Sequence, residues 1–153
     1  MDDRYDLERF VAAQDSAGTY DQATAELRRG RKTGHWIWFI FPQIAGLGQS
    51  QTSRTYAISS LEEARAYLGH PVLGPRLKEC VRILADSEPD SDSGRGSAEQ
   101  ILGGLDAQKL RSSMTLFLLA DPGEPLFAQL ISQYFDGQPD AATDQLLQAQ
   151  GRP

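Results

Sequence analysis

Apolar positions fall on helical spacing in one segment of the chain after another. Leu7, Phe10, Val11 and Ala13 recur at the intervals of one helix face and Gly18 stops the run, which predicts a first helix over 7–14. Ala23, Ala25 and Leu27 stand among strong helix formers between Asp21 and Arg29. Thr19 is placed as a cap and Gly30 as a terminator, which predicts a second helix. Ser60-Leu61-Glu62-Glu63 has the S-x-x-E form of a capping box, and its helix continues to Gly69. Val72, Leu73, Leu77, Cys80, Val81 and Leu84 mark an amphipathic helix to Ala85, with Pro75 in the first turn, where a missing N–H is tolerated. Leu110, Met114, Phe117 and Leu118 form another stripe ending at Ala120. Pro125 opens a helix carrying Phe127, Leu130, Ile131 and Tyr134, and Asp140 is placed to cap a last one through Leu146 and Leu147. The pattern predicts a mostly α, compact single-domain fold over 1–153, with no internal repeat.

Two stretches break the pattern. In GHWIWFIFPQ, residues 34–43, nearly every side chain between His35 and Pro42 is apolar, so periodicity does not separate a buried strand from a buried helix. The alternative matters for Trp36 and Trp38, which share a face on a strand but diverge by about 200° on a helix. The following IAGLGQSQTSRTYAI reads as a loop with one helical turn, exposed at a mouth of the core. Residues 87–97, SEPDSDSGRGS, lack apolar side chains and read as a mobile surface loop.

Composition narrows the function. With 153 residues, 40% hydrophobic and 24% charged, the chain is long enough to bury one core without staples. A net charge of -6 opposes sequence-independent binding to nucleic acid, and none is predicted as a partner. The one local exception is Arg28-Arg29-Gly30-Arg31-Lys32, read as cations at a helix C-terminus. Cys80 is the only cysteine, so no internal disulfide forms and a reducing cytoplasm is expected. The charged start MDDRYDLERF is unlike a secretory signal, and no apolar run reaches membrane-spanning length, so no membrane association is expected.

Several stretches taken together resemble a known family: FVAAQ at 10–14, HWIWFIFPQ at 35–43, GLGQS at 46–50, YAISSLEEARAYLGHPVLGPRL at 56–77 and DAQKLRSSMTLF at 106–117. The chain is similar to the bacterial domain-of-unknown-function family number 1810, some of whose members are labelled calpastatin, and the likeness covers about residues 7–147. The resemblance implies a compact helical cytoplasmic domain and brings no established activity. A calpastatin-like inhibitor is a largely disordered repeat chain, which a dense aromatic segment and amphipathic helices contradict.

Candidate chemistry clusters around the aromatic segment. His35 beside the tryptophans is placed as a proton-transfer group, with an edge-of-core histidine as the plain alternative. Trp36 and Trp38 read as core or as a stacking wall for a planar ligand. Gln43, Ser50, Arg54 and Tyr56 flank the glycine-containing loop and offer amide, hydroxyl and guanidinium groups suited to a phosphate or polyol, or to loop stapling. Asp106, Lys109 and Ser113 fall near one helix face, as ligand contacts or as a cap and surface charges, with Asp106 a second candidate for proton transfer. With two histidines and one cysteine, no metal site and no cofactor are expected. The expectation is a polar pocket for a small anionic, nucleotide- or ADP-ribose-like metabolite, bound and hydrolysed or bound alone. The alternative is a non-catalytic protein-interaction module with a protein partner.

Overall fold

The computed structural model describes residues 4–48, 50–86 and 98–150. In chain order they form α1 (Glu8–Asp15), a 3-10 turn (Ser16–Gly18), α2 (Thr19–Arg29), α3 (Ile37–Ile40), α4 (Gln51–Thr55), α5 (Leu61–Gly69) and α6 (Leu73–Asp86). After residues 87–97, whose expected loop lies outside the described residues, come α7 (Ala98–Leu102), α8 (Gly104–Ala120), α9 (Pro125–Phe135) and α10 (Ala141–Gln150). No strand forms among the described residues; the one extended pairing is an isolated parallel bridge between Ile44 and Ile58. The fold is mostly α around a buried aromatic segment, as the hydrophobic pattern requires.

The centre of the fold is α8, which packs against α3, α5, α7, α9 and α10. Every residue from Ser112 through Phe117 is buried, so the middle of this helix is enclosed all round and shows no polar stripe there, whereas its first turns expose Leu105 and Gln108. That explains why sequence spacing captured only its Leu110, Met114 and Phe117 face. Edge and tilted ring contacts run from α1 to α9 across it: Phe10 to Tyr67 at 5.2 Å, Tyr67 to Phe117 at 5.4 Å and Phe117 to Phe127 at 5.8 Å.

The ambiguous aromatic segment is one helical turn, and that turn separates its tryptophans. Trp36, Ile37, Ile40 and Phe41 enter the core, while Trp38 and Phe39 remain half-buried on another side. Two buried carboxylates fix the chain on either side of it. Glu26, 2% exposed on α2, accepts from the backbone N–H of Thr33 (2.6 Å) and Gly34 (2.8 Å), the Trp36 indole (3.0 Å) and the Gln22 amide (2.8 Å). It thereby pins the 33–36 loop to its helix.

Glu63 is the second. Ser60 caps α5 by accepting from the Glu63 N–H at 3.1 Å, as the capping box requires. The Glu63 carboxylate, however, reaches back to the N–H and hydroxyl of Ser59 rather than to Ser60, and it pairs with Arg9 at 3.0 Å. Two other caps differ from the sequence reading. Gly18 rather than Thr19 precedes α2, in a left-handed conformation with φ 71°, and Gly103 with φ 88° precedes α8, leaving Asp106 inside the first turn. Asp140 does cap α10, accepting from the Thr143 N–H at 3.0 Å.

Candidate functional site

A cleft of about 270 Å³ opens where the start of α8 meets the 43–48 loop and the start of α10. The loop contributes Gln43, Leu47 and Gly48; α8 contributes Leu105, Gln108, Lys109 and Ser112; Asp140 and Ala142 close the far wall. Gln43 and Gly48 also line an adjoining hollow of about 110 Å³ that holds Ser53 and Arg54. The loop keeps its place because Gln43 O accepts from the Ile58 N–H and Ile58 O accepts from the Ala45 N–H, both at 2.8 Å. It also approaches α4 closely: a Cβ added at Gly48 would lie 2.3 Å from the Ser53 Cβ. Gly48→Ala is therefore expected to displace the shared wall of both hollows and to cost about 1–3 kcal/mol, read as a lower denaturation midpoint.

The electrostatics at the cleft edge rest on one carboxylate shared by two ammonium groups. Asp106 Oδ2 pairs with Lys32 Nζ at 2.7 Å and Asp106 Oδ1 with Lys109 Nζ at 3.3 Å. The Lys32 side chain is only 7% exposed; its ammonium also donates to the Gly34 carbonyl and lies 5.0 Å from the Trp36 ring centroid. Lys109 sits 5.6 Å from the centroid of Trp38. Each lysine is thus backed by an indole face, which attracts cations and excludes water on that side.

Two buried polar atoms have no partner among the described residues, Trp38 Nε1 and Ser113 Oγ. An unpaired buried donor costs about 1–3 kcal/mol, so such groups mark positions where folding alone does not satisfy the backbone and side chains. Both residues neighbour Lys109, Trp38 through its ring and Ser113 one helical turn on.

The residues singled out in the sequence distribute unevenly. Gln43 and Lys109 meet in the larger cleft, Gln43 and Arg54 in the smaller hollow, and Asp106 and Trp38 support Lys109. Trp36 does not serve as a stacking wall: it is 1% exposed and its indole N–H is given to Glu26. His35 is exposed and lines neither hollow. Ser50 is the cap of α4, accepting from the Ser53 N–H at 3.1 Å, and Tyr56 packs against Phe39 at 5.0 Å and Phe10 at 5.8 Å.

Lys32, Leu105, Gln108 and Asp140 were not assigned to a site by sequence. Lys32 lay at the end of a basic run that reads as surface charge, and only the tertiary packing of the 31–34 loop on α7 and α8 buries it; its N–H donates to Ile101 O at 2.7 Å. Gln108 and Leu105 had a signal available, since both belong to the helix turn that also carries Asp106 and Lys109. Among the described residues no group of three or more His, Cys, Asp or Glu is arranged to hold a metal, and no helix is long and apolar enough to cross a membrane.

These features define a small all-helical domain whose central helix begins at a polar cleft, a class that prescribes no particular reaction. The chain belongs to the family described as "Protein of unknown function (DUF1810)", whose family model matches residues 4–147. It is similar to the solved structure of the conserved hypothetical protein Rv1873 from Mycobacterium tuberculosis. The two share 47% identity and a TM-score of 0.88, over 95% of this chain and 99% of that one. The comparison with curated proteins gave no match.

Proposed function

We propose that this cytoplasmic chain binds a small anionic metabolite, of nucleotide or ADP-ribose type, in the cleft edged by Lys109. The observation that supports this most is the sharing of Asp106 by Lys32 and Lys109, two cations on one anion, of which Lys109 lines the cleft. The carboxylate that does line the cleft, Asp140, is occupied by Gln108 and Thr143 donors and caps a helix. An incoming phosphate therefore meets an ammonium already desolvated on its indole side, and a charge-assisted hydrogen bond forms there. Arg54, exposed in the adjoining hollow, is placed for a second anionic group. Binding is favoured over hydrolysis, because His35 lines neither hollow and both Asp106 oxygens are engaged by lysines.

A second reading rests on Leu105, 82% exposed at the cleft edge, which suits a protein partner that seats an apolar side chain there. A thermal-shift panel of nucleotides, ADP-ribose, sugar phosphates and nicotinamide cofactors separates the two. A ligand at about 100 times its Kd adds roughly 2.7 kcal/mol, or about 5–10 °C for a chain of this length. Lys109→Ala is expected to abolish most of that shift. No shift of the unmodified protein with any panel member would sink the metabolite reading and favour the interaction module.

A further inference from the structure

The cleft has a second polarity, distinct from its cationic edge, which resolves the class of ligand within the reading just given. Gln108 Nε2 donates to Asp140 Oδ1 at 3.1 Å. The same carboxylate's other oxygen accepts from both the N–H and the hydroxyl of Thr143, at 3.0 and 2.6 Å. An ionised carboxylate only accepts, so it selects the N–H₂ side of the Gln108 amide. The carbonyl oxygen of that amide is left as an acceptor, without a partner among the described residues. Ser112 adds to this side: its hydroxyl donates to the Gln108 backbone carbonyl at 3.1 Å, which leaves the oxygen's lone pairs as acceptors on the cleft.

Acceptors thus gather on the wall formed by Gln108 and Ser112 of α8, while the ammonium of Lys109 supplies donors and the Gln43 amide of the 43–48 loop brings both an N–H₂ and a carbonyl to the cleft. A bare anion uses only the donors. A molecule that fills both sets carries an anionic group and, a few ångströms away, hydroxyl groups that donate. The apolar side chains of Leu47 and Leu105 suit the carbon skeleton between them. The volume of about 270 Å³ lies just under the usual range for ligand pockets, which suits one phosphorylated sugar unit, free or as the end of a longer metabolite whose remainder stays outside the cleft.

We infer that the cleft receives a phosphorylated sugar unit, its phosphate on Lys109 and its hydroxyls on the Gln108 carbonyl and Ser112, with Asp140 as the positioning residue that fixes the Gln108 amide. This rests on the anion-binding reading and narrows it. Asp140→Asn tests the positioning role sharply. Asparagine caps a helix as well as aspartate does, and its oxygen is claimed by the Thr143 N–H, so its N–H₂ turns toward Gln108. Two donors then face one another, and the Gln108 amide reverses to present N–H₂ to the cleft.

The experiment is a ¹H–¹⁵N NMR titration of the full chain with inorganic phosphate, ribose and ribose 5-phosphate, on the unmodified protein and on Lys109→Ala, Gln108→Leu and Asp140→Asn. The unmodified protein is expected to bind ribose 5-phosphate at least about tenfold more tightly than inorganic phosphate, the worth of one or two added hydrogen bonds. Gln108→Leu, a change at an exposed position, should remove most of that advantage while leaving phosphate affinity within about twofold, and Asp140→Asn, which also takes a negative charge off the wall and turns an N–H₂ toward the cleft, should remove it while leaving phosphate affinity unchanged or raised. Lys109→Ala should weaken both ligands. Equal affinity for the sugar ester and phosphate in the unmodified protein would overturn the sugar assignment and leave the anion site standing. Failure of both to bind would overturn the anion site as well. A full advantage retained in Asp140→Asn would overturn the positioning role.

Discussion

Arg9→Met is expected to destabilise the chain by about 3–5 kcal/mol, the largest effect of any single change considered. All five guanidinium N–H groups of Arg9 are used. Nε donates to Thr55 O, Nη1 to Tyr5 O and Asp6 O, and Nη2 to Ala57 O and to the Glu63 carboxylate. The arginine therefore ties the start of α1 to the end of α4, the residues after it and α5. Glu63 is 3% exposed, so removing its cation strands a buried charge on the two Ser59 donors alone. Methionine keeps the stem's packing on Phe10, whose ring centroid lies 4.4 Å from the guanidinium carbon, so the loss isolates the polar network. Arg9→Lys is expected to recover little, since a point charge does not reproduce the planar fork. Urea unfolding checks both; a Met variant within 1 kcal/mol of the unmodified protein would contradict the assignment.

Glu26→Gln is expected to cost about 3 kcal/mol at neutral pH and to remove a specific acid transition. Burial pushes the Glu26 carboxyl up, but the N–H groups of Gly34 and Thr33, the Gln22 amide and the Trp36 indole outweigh it and bring the pKa from 4.5 to about 2. A depressed folded-state pKa contributes stability that is fully present above the unfolded value and is lost as pH falls through the folded one. The contribution is therefore complete above about pH 4.5 and declines toward pH 2. At 1.36 kcal/mol per unit this lowering is worth about 3 kcal/mol. Stability measured against pH should fall less steeply across that window in Glu26→Gln than in the unmodified protein. Parallel curves would show that another carboxylate dominates. The change also reaches the cleft, because Glu26 holds Gly34, whose carbonyl receives the Lys32 ammonium.

The long helices were legible because each puts one apolar face inward. α2, α5, α6 and α9 match the sequence pattern to within a few residues, with Ser60 and Asp140 acting as the caps their spacing implied. The His35–Phe41 stretch was not legible, because a segment buried on several sides has no period to read; packing chose a single helical turn. The start of α8 was missed for the opposite reason. Gly103, Gly104 and the exposed Leu105 carry no apolar stripe, and a glycine at positive φ rather than Asp106 precedes the helix.

The same contrast holds at the cleft. Gln43 and Lys109 were readable because each flanks a recognisable element, and their meeting is a property of the fold. Glu26 and Lys32 were hidden: nothing local distinguishes a buried glutamate that binds a loop from the solvated acids elsewhere on these helices. The indole of Trp36 is committed to that glutamate, whereas the lysine-backed face of Trp38 needed the helical turn between the two residues to be known.

Isothermal titration of ADP-ribose into the unmodified chain and into Lys109→Ala tests the central claim most directly. The cleft lined by Lys109, which shares Asp106 with Lys32, predicts saturable binding to the unmodified chain and at least about tenfold weaker binding to the variant, the loss of one charge-assisted contact. No binding to the unmodified chain, or equal affinity in the two proteins, would contradict it.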